Sequence, residues 1–387
     1  MIEMYINCLA LNNSQGGNAA EIFNSIFLKN TVTEGERVKL ISGRQALVRR
    51  VNFALPVVTY RPGQFDTRNN RLLLHVAMQM KNQIETVIEK YGKQRVAVIL
   101  GTSTSGILES EEAFKGKSTE KFNYYKQEIS SPSEFLAGFF GLKGIHYTVS
   151  TACSSSAKVF IEAKRLIDLG LCDAAIVGGV DSLCSLTLDG FDSLDSVSPN
   201  ITNAFSKNRN GINIGEGAAL FIVSKEEAAI RLAGYGESSD AYHLSSPDPE
   251  GAGGEIAIQS ALKMAKLQPD QISYINLHGT GTVKNDLMES HLVNRVFGAE
   301  TPVSSTKAFI GHTLGAAGAQ ELALCYLALD FGNKQQKLPP HYWDAQADSD
   351  LAKLNFSTTQ TCLKTKVCMS NSFAFGGNNV SLIICGA

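Results

Sequence analysis

The stretch GAAGAQELALCYLALDFG (315–332) is apolar on nearly all sides when wound as a helix. A surface helix keeps a polar face for water. This one has none, so it belongs deep inside the molecule. Short β-type runs alternate with helical patterns along the rest of the chain. RVAVIL (95–100), IHYTVS (145–150), DAAIVGGV (173–180) and GAALFIVSKE (217–226) read as strands, as do ISYINLH (272–278), KVCMSNS (366–372) and VSLIIC (380–385). The run 154–170 carries Ala157, Phe160, Ala163, Lys164 and Ile167 at helical spacing, with Gly170 as its stop. GEIAIQSALKMAKL (254–267) reads as a helix closed by Pro269-Asp270. Such alternation predicts an α/β protein with mainly parallel strands covered on both faces. GEGAALFIVSKE and GGNNVSLIICG are both glycine-rich turns feeding a strand, an internal echo that hints at duplication. The polar, charged segment 109–133 is expected to be the most mobile part.

Composition narrows the function classes. With 387 residues, 44% hydrophobic and 19% charged, the chain has material for a large core. A net charge of −2 gives no reason to expect a nucleic-acid partner. The eight cysteines are scattered with no C-x-x-C pair, which argues against a zinc site or a disulfide framework and suits free thiols in the cytoplasm. No leader pattern opens the sequence, and no apolar run is long enough to span a membrane. GKST (116–119) lacks the upstream glycine of a phosphate loop because residue 111 is Glu, and GEG (215–217) precedes a strand rather than a helix.

Three residues carry candidate chemistry. Cys153, in VSTACSSSAK, sits where a strand gives way to a helix. Unpaired N–H groups and the helix dipole there would lower a thiol pKa, and the flanking Thr151, Ala152, Ser154 and Ser155 leave room for a substrate. His278 ends an apolar strand before GTGT, and His312 lies between glycines with Lys307 five residues upstream. A thiol plus two imidazoles on glycine-rich strand ends is what acyl transfer from a thiolate requires: a nucleophile, and donors for a carbonyl oxygen that becomes an anion.

TACSSSA, HGTGTVKND, SSTKAFIGHTLGAAGAQE and NSFAFGGNN, in that order, resemble the signature blocks of β-ketoacyl-acyl carrier protein synthases of the elongating Cys-His-His type. GVDSL and FSKNRNGINIGEGAALFIV resemble intervening segments of the same family, and the similarity runs from about residue 95 to the end. The wording of RNGINIGEGAALF, GYGESSDAYH and LHGTGTVKNDLMES is similar to ketosynthases of bacterial aryl-polyene clusters. The resemblance implies a thiolase-like, five-layered αβαβα fold made of two duplicated halves, 1–230 with the nucleophile and 231–387 with the two histidines. It also implies a homodimer, or a heterodimer with a chain-length-factor-like homologue.

By the same resemblance, Cys153 takes an acyl chain from the phosphopantetheine of an acyl carrier protein. His278 and His312 hold the enolate left when a malonyl thioester loses carbon dioxide, and that carbanion attacks the acyl-Cys153 carbonyl. No tightly bound cofactor and no metal are implied. Backbone N–H groups of Cys153 and Phe375 would form an oxyanion hole, and Phe375 would gate the pocket. Lys307 would orient His312 and pair with Glu289, three residues after Asp286. Thr280 and Thr282 would hold the pantetheine amides, Thr104 would line the acyl pocket, and Arg68, Arg71, Lys207 and Arg209 would dock the carrier. Ala374 and Asn378 depart from the family's usual glycine and threonine, so Ala374 is expected to stiffen the gate loop. A coenzyme A-dependent thiolase or initiating synthase is disfavoured by His312, where an initiating enzyme shows asparagine. A non-catalytic chain-length factor is disfavoured because Cys153, His278, Lys307 and His312 are all present.

Overall fold

A computed structural model describes residues 2–116, 122–330 and 332–386. Eleven strands form one continuous sheet: β1 (Met4–Asn12), β2 (Val96–Gly101), β3 (His146–Val149), β4 (Ala174–Asp181), β5 (Gly217–Ser224), β6 (Ile230–Ser239), β7 (Tyr274–Asn276), β8 (Pro302–Ser304), β9 (Asn355–Phe356), β10 (Val367–Phe373) and β11 (Asn378–Gly386). Their spatial order is β9-β8-β7-β10-β11-β6-β1-β5-β4-β2-β3. The duplication is visible in that order. Numbering β1–β5 and the set β6, β7, β8, β10 and β11 each from one to five, both read 3-2-4-5-1 across the sheet. The sets meet where β1 pairs antiparallel with β6, Tyr5 opposite Arg231.

The sheet is mixed, not mainly parallel. Five neighbouring pairs run parallel and five antiparallel. The reason lies in the connections. β10 turns back directly into β11, so that pair is antiparallel, whereas the parallel neighbours β2 and β3, and β7 and β8, are joined through helices.

Alternation along the strands sorts the core into layers. In β2, Ala97 and Ile99 face one cluster while Val96, Val98 and Leu100 face another. The first cluster is central. It gathers α2 (Ser155–Asp168) and α5 (Ala317–Leu329), packed on each other, with strands of both halves on either side. Outside it, α1 (Arg68–Gln79) and helices Lys81–Tyr91 and Ser131–Phe139 cover one half, and α3 (Ala252–Ala265) and α4 (Val283–Phe297) cover the other. These are the five layers expected. The helix apolar on all sides is α5, in which every residue but Tyr326 is buried.

Local signals held with small shifts. α2 stops where Gly170 takes φ +69°. α3 ends at Ala265, with Lys266 at φ +56°, before Pro269 is reached. The described residues of segment 109–133 are largely helical, over Ile107–Lys115, Tyr124–Gln127 and into Ser131–Phe139. Its charges are used: Glu109 accepts the Arg68 N–H at 2.6 Å, and Glu111 accepts those of Ser185 and Leu186 at 2.9 and 2.6 Å. Residues 117–119 of GKST lie outside the described residues.

Candidate active site

Cys153 is positioned by a tight turn between β3 and α2. Ala152 takes φ +52°, a left-handed conformation costly for a residue with a Cβ, and the turn is tied by Thr151 N–H to Ser155 Oγ at 2.8 Å. Gly101 lets the helix start come close, since a Cβ there would lie 2.4 Å from the Ser156 nitrogen. His278 follows β7. Its backbone N–H and that of Gly279 each donate to Glu289, both at 2.7 Å. His312 is fixed through its backbone, its N–H on the Asn213 carbonyl at 2.7 Å and its carbonyl on the Gly215 N–H at 2.9 Å.

The fold brings the three together. His312 Nε2 lies 3.0 Å from Cys153 Sγ, and the rings of His278 and His312 stand edge to face with centroids 5.5 Å apart. All three are buried, and one donor atom from each falls within 4.8 Å of the others. They share a cavity of about 600 Å³ with Phe191, Phe375, Thr280 and Thr282. Phe375 lies against Phe191 at 5.4 Å, beside the thiol.

The protonation states follow from the contacts. Leu314 N–H donates to His312 Nδ1 at 3.2 Å, so in the neutral ring the proton sits on Nε2 and points at the sulfur. Burial first, and the nearby Lys307 charge second, hold both histidines well below their ordinary pKa, so both are neutral at pH 7. Burial also pushes the Cys153 thiol up to about 11, although Lys307 and the backbone N–H groups of Phe375 and Cys153 pull it down. The expectation of a lowered thiol pKa is therefore corrected. The site is too dry for the helix start to win.

Lys307 corrects another expectation. It is fully buried and donates to Glu321 and to the His278 carbonyl, not to Glu289. Glu321 stands on α5. A carboxylate in a wholly buried helix demands a cation, and that was the sequence signal for this pair. Glu289 and Asp286 do a different task. Three residues apart on α4, they accept backbone N–H groups from His278, Gly279, Gly281 and Phe205. Burial raises their pKa values to about 7 and about 6.

Thr104 is also reassigned. It is buried away from the cavity, its hydroxyl donating to Asp181 at 2.7 Å. Asp181, not noticed as a site residue, gathers Thr102, Ser103, Thr104 and the N–H of Ala316, tying the β2 end to the loop after His312. Thr280 and Thr282 do line the cavity, with their hydroxyls 2.9 Å apart. Ala374 keeps an ordinary φ of −96°, so it does not strain the gate loop. The left-handed positions there are Gly376 and Gly377.

The docking arginines are already neutralised. Arg68 Nε meets buried Glu216 at 2.8 Å, Arg71 meets Asp66 at 2.7 Å, and Arg209 meets Asp348 at 2.5 Å. None of them, nor exposed Lys207, lines the cavity.

Two family models match: "Beta-ketoacyl synthase, N-terminal domain" over residues 64–229 and "Beta-ketoacyl synthase, C-terminal domain" over 229–342. The chain belongs to the beta-ketoacyl synthase family. It is 31% identical over 331 residues to 3-oxoacyl-[acyl-carrier-protein] synthase 2 of Synechocystis, covering 79% of this chain and 78% of that one. It is 32% identical over 307 residues to nodulation protein E of Rhizobium meliloti, covering 74% and 75%. Among solved structures, the ketosynthase ApeO of Xenorhabdus doucetiae, determined in complex with its chain length factor ApeC, superimposes with a TM-score of 0.94 at 42% identity over 100% of this chain and 98% of that one. Like the ketosynthases it matches, this chain is an acyltransferase. No helix among the described residues is long and apolar enough to cross a membrane.

Proposed function

We propose that this beta-ketoacyl synthase extends an acyl chain held on Cys153 by decarboxylative condensation with a malonyl thioester, both delivered on the phosphopantetheine of an acyl carrier protein. The observation that carries the reading is the Cys153 Sγ–His312 Nε2 contact at 3.0 Å, with His278 beside it in one cavity. In the first half-reaction, the Cys153 sulfur attacks the thioester carbonyl. N–H groups of Cys153 and Phe375 receive the developing oxyanion, and the thiol proton leaves with the departing pantetheine sulfur. In the second, the bond to the malonyl carboxyl breaks and its electron pair moves into an enolate, held by Nε2–H donors of neutral His278 and His312. The enolate carbon then forms a bond to the acyl carbonyl carbon, and the Cys153 sulfur leaves.

Lys307 positions His278 through that residue's carbonyl, with Glu321 balancing its charge. Asp286 and Glu289 hold the 278–282 loop. Thr280 and Thr282 receive the pantetheine amides, and Phe375 is the gate. The halves divide at about 230/231, a reading supported by the repeated strand order. The likeness to ApeO supports pairing with a chain-length-factor-like homologue, and the resemblance to aryl-polyene ketosynthases supports that branch. Eight free cysteines suit a cytoplasmic setting.

Because the enolate clamp does not use the thiol, Cys153→Ala is expected to lose condensation yet still release carbon dioxide from malonyl carrier, whereas His278→Ala loses both. Loss of both activities in Cys153→Ala, with no acyl adduct on Cys153 of the unsubstituted enzyme by mass spectrometry, contradicts the reading.

A further inference from the structure

With the arginines above engaged elsewhere, which cation meets the incoming substrate? Among the described residues, Lys284 is the one lysine or arginine lining the catalytic cavity. It is exposed, and among the described residues its partner is a neutral hydroxyl, Ser246 Oγ at 2.9 Å, rather than a carboxylate. The one carboxylate among the described lining residues, Asp195, is engaged by Arg44 at 3.0 Å. A second pocket of about 260 Å³ abuts the first and shares His243, Ser246, Pro247 and Lys284 with it. Lys284 therefore stands where the two recesses meet. It also lies two residues beyond Thr282, on the segment that carries Thr280 and Thr282 along the cavity wall.

We infer that Lys284, with the Ser246 hydroxyl beside it, is the recognition site for the phosphodiester of the incoming phosphopantetheine arm. The inference rests on the proposed carrier-dependent condensation. An arm whose thioester reaches Cys153 and whose amides run past Thr280 and Thr282 carries a single anionic group toward its outer end. An unneutralised ammonium beside a donor hydroxyl matches that group in charge and in hydrogen bonding. Exchanging a hydroxyl partner for a phosphate oxygen makes a charge-assisted bond without breaking an ion pair.

The test compares free acyl-phosphopantetheine with acyl-pantetheine, identical thioesters that differ by the phosphate and lack the carrier protein. The ratio of their kcat/KM values is internal to each variant, so a partly folded preparation does not distort it. The unsubstituted enzyme is expected to prefer the phosphorylated thioester by roughly three- to tenfold, the range for a charge-assisted bond at a partly exposed site. Lys284→Gln should bring the ratio toward one, and Lys284→Arg should keep most of it. Equal use of the two thioesters by the unsubstituted enzyme overturns the inference, as does a preference that survives Lys284→Gln. A loss confined to carrier-bound substrate overturns it too, and assigns Lys284 to a carrier carboxylate instead. Failure of every thioester, carrier-bound included, to acylate Cys153 defeats the condensation reading itself, and this inference with it.

Discussion

At the scale of single residues, the site joins a dry thiol to dry imidazoles. The Cys153 pKa near 11 means that the resting sulfur holds its proton at neutral pH. Alkylation of Cys153 by iodoacetamide is accordingly expected to rise with pH to a midpoint well above the ordinary value of about 8.5. Peptide mapping at a series of pH values measures it, and a midpoint near or below 8.5 would contradict the role given to burial. Which residues carry the chemistry was legible because Cys153 stands at a strand-to-helix junction among small residues and each histidine ends an apolar run beside glycines. Their partners were less legible. Glu289 and Glu321 are both carboxylates on helices of the second half, and only the fold shows that Glu321 faces Lys307 while Glu289 faces backbone N–H groups. Thr104 was misread for the same reason, because the direction of a loop side chain is set by what is packed around it, here Asp181.

At the scale of elements, the two central helices decide how closely the halves approach. α5 meets α2 through small residues, and a Cβ on Gly318 would lie 2.7 Å from that of Ala157. Gly318→Leu should therefore overpack the middle layer and cost about 1–3 kcal/mol. Denaturant titration reads this as a lower midpoint, and an unchanged midpoint would show that the layer yields. Burial of α5 was plain in its sequence, since it carries no polar face. The direction of each strand was not. β5 is an apolar run like β2 and β4, yet it pairs antiparallel with β1 and β4 while β2 and β4 pair parallel, and the long connection from β4 to β5 gives no sign of the reversal. Segment 109–133 shows the converse. Its charges suggested solvent, yet Glu109 and Glu111 are spent on neighbouring backbone N–H groups.

For the whole molecule, buried thiols set the alkaline limit of stability. Burial raises Cys8, Cys172 and Cys184, like Cys153, to about 11. A thiol whose folded pKa is raised contributes stability that is complete below its unfolded pKa and lost as pH climbs through the folded value. The unfolded chain gives up protons that the fold retains. Tm is expected to fall between about pH 9 and pH 11, and a Cys172→Ala, Cys184→Ala double variant should fall less steeply. Parallel melting curves decide the point, and equal slopes would remove the thiols as the cause. The seam between the halves has a consequence for how the chain is made. β1 leaves the ribosome long before its neighbours, because β5 and β6 both lie beyond residue 216. At ordinary synthesis rates that is roughly 10–40 s during which an apolar strand has no edge to pair with. Efficient production of this enzyme depends on whatever shields β1 while its partner strands are being translated.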